Sequence, residues 1–130
     1  MALASRTFSD IDMDFMPNPI TEDILKKTNE SAIAQSIGNL LQTAHYERLF
    51  RPEIGCNLKK YLFEPIDNIT TNNITEEIIR TITNYEPRVS VTNIRAQASP
   101  DDNLYAVTLT FTIINLPNPI TIDFFLERIR

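Results

Sequence analysis

In the last third of the chain, apolar and polar residues alternate. Tyr105, Val107, Leu109, Phe111 and Ile113 share one parity, separated by Ala106, Thr108, Thr110 and Thr112. Ile120, Ile122, Phe124 and Leu126 repeat the pattern. Successive strand side chains point to opposite faces, so this period of two predicts two half-buried strands. Upstream, Val89 and Val91 have one parity and Ile94 and Ala96 the other, so a slip near Asn93 predicts a β-bulge. Ser99 to Asn103 predicts the intervening hairpin loop. The middle of the chain has the helical period instead. Ile33, Ile37, Leu40, Leu41 and Ala44 form one stripe, with Asn29 or Ser31 as its cap. A short helix is expected over Leu58 to Phe63, stopped by Pro65. Asn73 with Glu76 resembles a capping box for a helix whose buried stripe is Ile74, Ile78, Ile79 and Ile82, extended by Tyr85. Pro87 ends that helix and pushes Glu86 into an extended conformation.

Near the N-terminus Asp10, Asp12 and Asp14 alternate with Ile11, Met13 and Phe15, which predicts a short strand or an extended arm. The pentapeptide Pro17-Asn18-Pro19-Ile20-Thr21 recurs identically at Pro117 to Thr121. Similarity fades after it, so the expectation is one turn-into-strand device used twice. Together the pattern predicts a single α+β domain over 1–130, with helices packed on a small antiparallel sheet. Residues 1–28 form an extended arm and strand, 29–86 the helical part, and 87–130 a three-stranded β-meander.

Composition narrows the function. The chain has 130 residues and a formal charge of −5, with no basic stripe, which disfavours direct binding to nucleic acid. With one cysteine, Cys56, and one histidine, His45, it has neither a disulfide framework nor a histidine-built metal centre. Two glycines exclude Gly-rich phosphate loops. The Asp10–Asp14 cluster lacks the central glycine and distal glutamate of an EF-hand, so no metal and no cofactor are expected. No apolar run approaches the roughly 20 residues needed to span a bilayer, and none resembles a signal peptide. The expectation is a soluble protein made in a reducing cytosol, without membrane insertion.

Three carboxylates, Glu53, Glu64 and Glu86, lie near apolar residues and are the candidates for a glycosidase pair, which needs one member held protonated. The chain has no tryptophan to stack on a sugar. His45 with a serine or Cys56 is the other conceivable catalytic set; a surface role for His45 and a packing role for Cys56 are the simpler readings.

Two segments carry a denser signal. One runs from Glu47-Arg48-Leu49-Phe50-Arg51-Pro52-Glu53-Ile54-Gly55-Cys56 to Leu62-Phe63-Glu64-Pro65, and the other is Asn84-Tyr85-Glu86-Pro87-Arg88-Val89. With Phe8-Ser9-Asp10-Ile11-Asp12 and the Ala32–Leu41 helix they follow in an order that resembles the short baseplate-wedge proteins of contractile phage tails, a family related to the type VI secretion component TssE. The chain departs from that pattern at Tyr46, where relatives commonly place a glycine. The resemblance implies a non-enzymatic virion component that joins the baseplate wedge in several copies and initiates the tail sheath. It implies that Glu86, Pro87 and Arg88 dock on the wedge's helical core bundle. The family's lysozyme-like label supplies the alternative, a glycosidase acting on the host cell wall. The residues add that a guanidinium grips a carboxylate bidentately beside a rigid proline corner. Arg88→Ala is therefore expected to weaken attachment and leave the fold largely intact. Sheath initiation would be strand addition, for which the last strand offers Thr121, Asp123 and Phe125 on its outer face. Phe125 is apolar where a lone outer face rarely favours it.

Overall fold

The computed structural model describes residues 9–24, 26–114 and 116–127. Phe8 of the N-terminal motif lies outside them. Strand β1 (Ser9–Ile11) pairs antiparallel with β2 (Lys26–Thr28), which runs directly into helix α1 (Asn29–Gln42). Helices α2 (Leu58–Leu62) and α3 (Asn68–Tyr85) follow, then strands β3 (Val89–Ser99), β4 (Leu104–Ile113) and β5 (Leu116–Glu127). The last three form an antiparallel sheet in the order β3-β4-β5.

The core follows from the two periodicities. Ile33 and Ile37 of α1 and Ile74, Ile78 and Ile82 of α3 are fully buried against Tyr105, Val107, Leu109 and Phe111 of β4. Each such side chain contributes about 1.5–3 kcal/mol through burial, so tertiary packing compensates for the mediocre helix propensity of isoleucine. The bulge falls where the parity slips. Val91 faces Phe111 and Asn93 faces Thr110, leaving Thr92 as the extra residue. Val89, Val91, Ile94 and Ala96 of β3 thereby all pair with the inward residues Ile113, Phe111, Leu109 and Val107 of β4.

Several expectations are corrected. Helix α3 starts a turn and a half before Asn73, because Asp67 caps it, its side chain accepting from the Thr70 amide at 2.6 Å. Asn73 and Glu76 are interior helix residues, not a capping box. Ile79 is 38% exposed, since Glu77 and Thr81 occupy the buried flank instead. Buried Glu77 has its own partners, the Asn57 amide at 3.1 Å and Arg80. Helix α1 begins at Asn29, so Ser31 lies in its first turn.

The repeated pentapeptide takes two conformations. Around the first copy, Asn18 organises a turn, its side chain accepting from Ile20 N at 2.9 Å and its carbonyl from Glu22 N at 2.8 Å. The second copy lies within β5. There Ile113 pairs with Leu116 and Phe111 with Ile120, so residues 117–119 stand opposite Thr112 alone. A bulge on an outer strand is where a sheet tolerates residues that lack an N–H. The same five residues make a turn once and a bulged strand once.

Candidate docking corner and open sheet edge

The chain leaves α3 at Glu86, whose amide donates to Ile82 O and whose backbone (φ −125°, ψ 80°) is already extended, as Pro87 requires. That turn points the Glu86 side chain inward, to 4% exposure. Arg88 grips it with both arms, Nε to Oε1 at 2.6 Å and Nη2 to Oε2 at 2.9 Å. Ser36 of α1 donates to Oε2 at 2.7 Å. Burial pushes the Glu86 carboxyl up, but the hydrogen bonds from Arg88 and Ser36 outweigh it and hold the group below the usual carboxylate range. The Arg88 guanidinium is pushed up, chiefly by its bond to Glu86, with Asp10 adding to the effect. Ile114 N donates to Arg88 O at 3.0 Å, tying the end of β4 to the same corner.

Glu86 and Arg88 are thus brought together, with Pro87 exposed between them. The sequence did not announce Ser36, which lies on the polar side of α1 and looks solvent-facing by period alone. The geometry also corrects the expectation for Arg88→Ala. Truncation removes the main partner of a buried carboxylate, so it costs stability as well as surface.

A groove of about 490 Å³ opens beside the corner, lined by Ser36, Glu86, Asp10 and Tyr85 and by Arg48 and Arg51 of the α1–α2 loop. That loop is pinned at its base. Cys56 N donates to Thr43 O at 2.8 Å, Tyr46 N to Pro52 O at 2.9 Å, and Tyr85 Oη to Glu53 O at 2.6 Å. Tyr46 sits at φ 70°, the left-handed conformation that glycine adopts freely and a residue with a side chain rarely does. The tip carries Leu49 and Phe50, 92% and 96% exposed. A period-based reading missed both, because neither belongs to a stripe.

The second site is the edge of the sheet. Among the described residues, β5 pairs with β4 and with no strand on its other side. Thr121 and Asp123 are exposed and bond to the neighbouring strand, Thr108 Oγ1 donating to Asp123 Oδ1 at 2.7 Å and Thr110 Oγ1 lying 3.2 Å from Thr121 Oγ1. Phe125 faces Ala106 across the ladder, a side chain too small to cover it, and is 68% exposed.

The candidate catalytic groups are differently placed. Glu53 is exposed and paired with Arg51 at 3.4 Å, while its carbonyl accepts from Tyr85 and lies 3.1 Å from His45 Nδ1. The groove beside Glu86 has Asp10 as its second carboxylate, not Glu53 or Glu64. Burial pushes the Cys56 thiol up, the opposite of nucleophile activation. Among the described residues no cluster of three or more His, Cys, Asp or Glu side chains could hold a metal, and no helix is long and apolar enough to cross a membrane.

The chain is similar to known proteins in sequence and in fold. The chain is 29% identical over 120 residues to the baseplate wedge protein gp25 of Enterobacteria phage T4, covering 92% of this chain and 90% of that one. A putative tail lysozyme from Geobacter sulfurreducens superimposes with a TM-score of 0.72 at 22% identity, over 78% of this chain and 92% of that one. A chain of the post-contraction pyocin R2 baseplate gives 0.64 at 21% identity, over 82% of this chain and 98% of that one. A chain of the anti-feeding prophage baseplate gives 0.65 at 18% identity, over 95% and 88%. These three structures share the α+β fold. The model of the family described as baseplate wedge protein gp25 matches residues 27–117, from β2 through all three helices to the first residues of β5, and the chain belongs to that family.

Proposed function

We propose that this chain is a non-enzymatic wedge component of a phage tail baseplate that docks by its Glu86–Pro87–Arg88 corner and starts the tail sheath from the edge of β5. The observation that carries the docking reading is the buried strut. Glu86 is spent on Arg88 and Ser36, so its role is to position, while Pro87 and the outer side of Arg88 form the contact. The rigid corner presents planar donors in fixed geometry beside Arg48, Arg51 and the apolar tip of Leu49 and Phe50, a surface that suits a helical bundle with carboxylates along an apolar seam. Sheath initiation rests on the unpaired side of β5, with Thr121, Asp123 and Phe125 on its outward face.

Co-assembly decides the matter. Pro87→Ala and Arg88→Lys should lose attachment to the wedge core bundle by more than their melting temperatures account for. Proline placed at Thr121 or Asp123 should lower sheath nucleation more than wedge attachment. Attachment that merely tracks thermal stability across these variants would make the corner a strut with no partner.

The likeness to the putative tail lysozyme raises a second reading, a cell-wall glycosidase. Its general acid must stay protonated at working pH, whereas Glu86 is held ionised by Arg88 and Ser36. Purified protein should release no reducing sugar from peptidoglycan. Turnover abolished by substituting Glu53, Glu64 or Glu86 in a folded variant would overturn the non-enzymatic reading.

A further inference from the structure

The helical layer covers the sheet unevenly. Along β4 the inward side chains from Tyr105 to Ile113 are 0–2% exposed, whereas Ile122, Phe124 and Leu126 of β5 are only partly buried. Helix α1 runs beside β5 but leaves a groove of about 320 Å³ against it, lined by Ala34, Ile37, Gly38, Leu41, Phe124 and Leu126 among others. Gly38 opens that space. It sits in mid-helix, where glycine costs stability, and a Cβ placed on it would meet nothing within 4 Å. The groove is mostly apolar, with Gln42 and Asp123 as its polar lining, and lies between α1 and β5, whose other side pairs with no described strand.

We infer that this groove seats the inward side chains of the strand that β5 receives, and so selects that strand by sequence pattern. The inference rests on the reading of β5 as the template edge and adds what the edge accepts. A strand laid along β5 continues its pleat, so alternate residues point toward α1 and the others outward. From Ile122 to Leu126 is about 13 Å at roughly 3.3 Å per residue, which spans three inward positions of an incoming strand. Those positions are apolar, because most of the groove's lining is apolar and Asp123, one of its two polar residues, already accepts from Thr108 of β4. The outward positions flank Asp123 and Glu127 and are therefore basic or hydroxyl-bearing, with aliphatic stems that cover Phe125. The occupant is an alternating segment, apolar inside and basic or threonine-rich outside.

The test uses a nine-residue peptide alternating valine or leucine with lysine or threonine, its permuted isomer, and the same peptide N-methylated along its backbone. Binding to the full chain is read by fluorescence polarisation. The alternating peptide should bind at least tenfold tighter than the permuted one. N-methylation should abolish binding, since it removes the ladder donors. Gly38→Leu should weaken the alternating peptide at least tenfold by filling the groove, while melting temperature stays equal or rises. Unchanged affinity in folded Gly38→Leu, with N-methylation still abolishing binding, would overturn the groove and leave the edge reading intact. Equal binding of the alternating and N-methylated peptides would overturn the edge reading itself. Concentration-dependent dimers in sedimentation that Gly38→Leu disperses would assign the groove to a second copy of this chain, against the proposal.

Discussion

The Glu86 corner and the β5 edge sit on the same chain and solve opposite problems. At the corner both oxygens of a buried carboxylate are bonded, to Arg88 and to Ser36, and the loop beside it is pinned by backbone bonds at Tyr46 and Cys56. Along β5 one side of the backbone has no described strand to pair with, and the layer beneath it is incompletely filled. Each region holds one of the chain's two glycines, and they differ in the same sense. A Cβ on Gly55 would lie 2.7 Å from Thr43 O and 2.9 Å from Ala44 O, at φ +144°, whereas Gly38 faces open space. A closed region presents a fixed shape and an open one presents unmet valence, which suits permanent attachment and templated addition respectively.

The comparison breaks first at Glu86. Glu86→Ala leaves Arg88 without its bidentate partner and Ser36 without its acceptor. Losing one partner of a buried pair costs about 3–5 kcal/mol, and the low end applies because Arg88 is one-third exposed and can turn toward water. Urea unfolding should show a loss of unfolding free energy of that size. Thr121→Ser on the open edge should change the midpoint by less than about 0.5 kcal/mol equivalent. Comparable losses at the two sites would erase the distinction.

Next comes Gly55→Ala, expected to cost roughly 2 kcal/mol, because the backbone is left-handed and the added methyl meets main chain that cannot swing aside. The loss should show in the melting temperature, together with weaker wedge attachment as the loop shifts Arg48, Arg51 and the tip.

How far the sequence anticipated this contrast depends on what each feature depends on. The strands of the meander, the bulge after Val91 and the end of α3 at Pro87 are local, set by parity and by proline, and were legible. The pairing of Glu86 with Arg88 was half legible, since the two are close in sequence; Ser36 lies 50 residues away and is joined only by the packing of α1 on α3. The rotation of α3 that exposes Ile79 was hidden, because Glu77 competes for the buried flank through a bond to Asn57 N. The second pentapeptide copy was expected to turn before its strand; the strand from Ile120 was legible, but sheet pairing overrides local preference at 117–119, where a bulge accommodates the prolines. The incomplete cover of β5 was invisible, since periodicity shows which face is apolar and not whether anything lies on it.

Acid sharpens the corner further. The folded-state pKa of Glu86 lies below its unfolded value of about 4.3, so the unfolded chain takes up the proton first as pH falls. Its contribution to stability is therefore complete above that value and is lost as pH falls through the depressed folded one. Glu47 and Asp67 are shifted the same way, so wild-type slope alone does not isolate Glu86. The difference between wild type and Glu86→Gln does. The gap in unfolding midpoint should be widest near pH 7 and narrow toward pH 3, and a gap independent of pH would mean that the charge on Glu86 is not what holds the corner.

The smallest effect has the opposite sign and concerns the open region. In mid-helix, alanine is favoured over glycine by about 0.8–1.0 kcal/mol, through the lower backbone entropy of its unfolded state. At Gly38 nothing offsets that gain, because the added methyl has no neighbour within 4 Å. Gly38→Ala should therefore raise the melting temperature by a few degrees, where Gly55→Ala lowers it. The same methyl narrows the groove without filling it, so sheath nucleation should fall modestly even as the fold gains stability. A stability gain and a nucleation loss at one residue would show that the space beside β5 is kept for an occupant. A gain in both would show that the groove is only an unfilled part of the core.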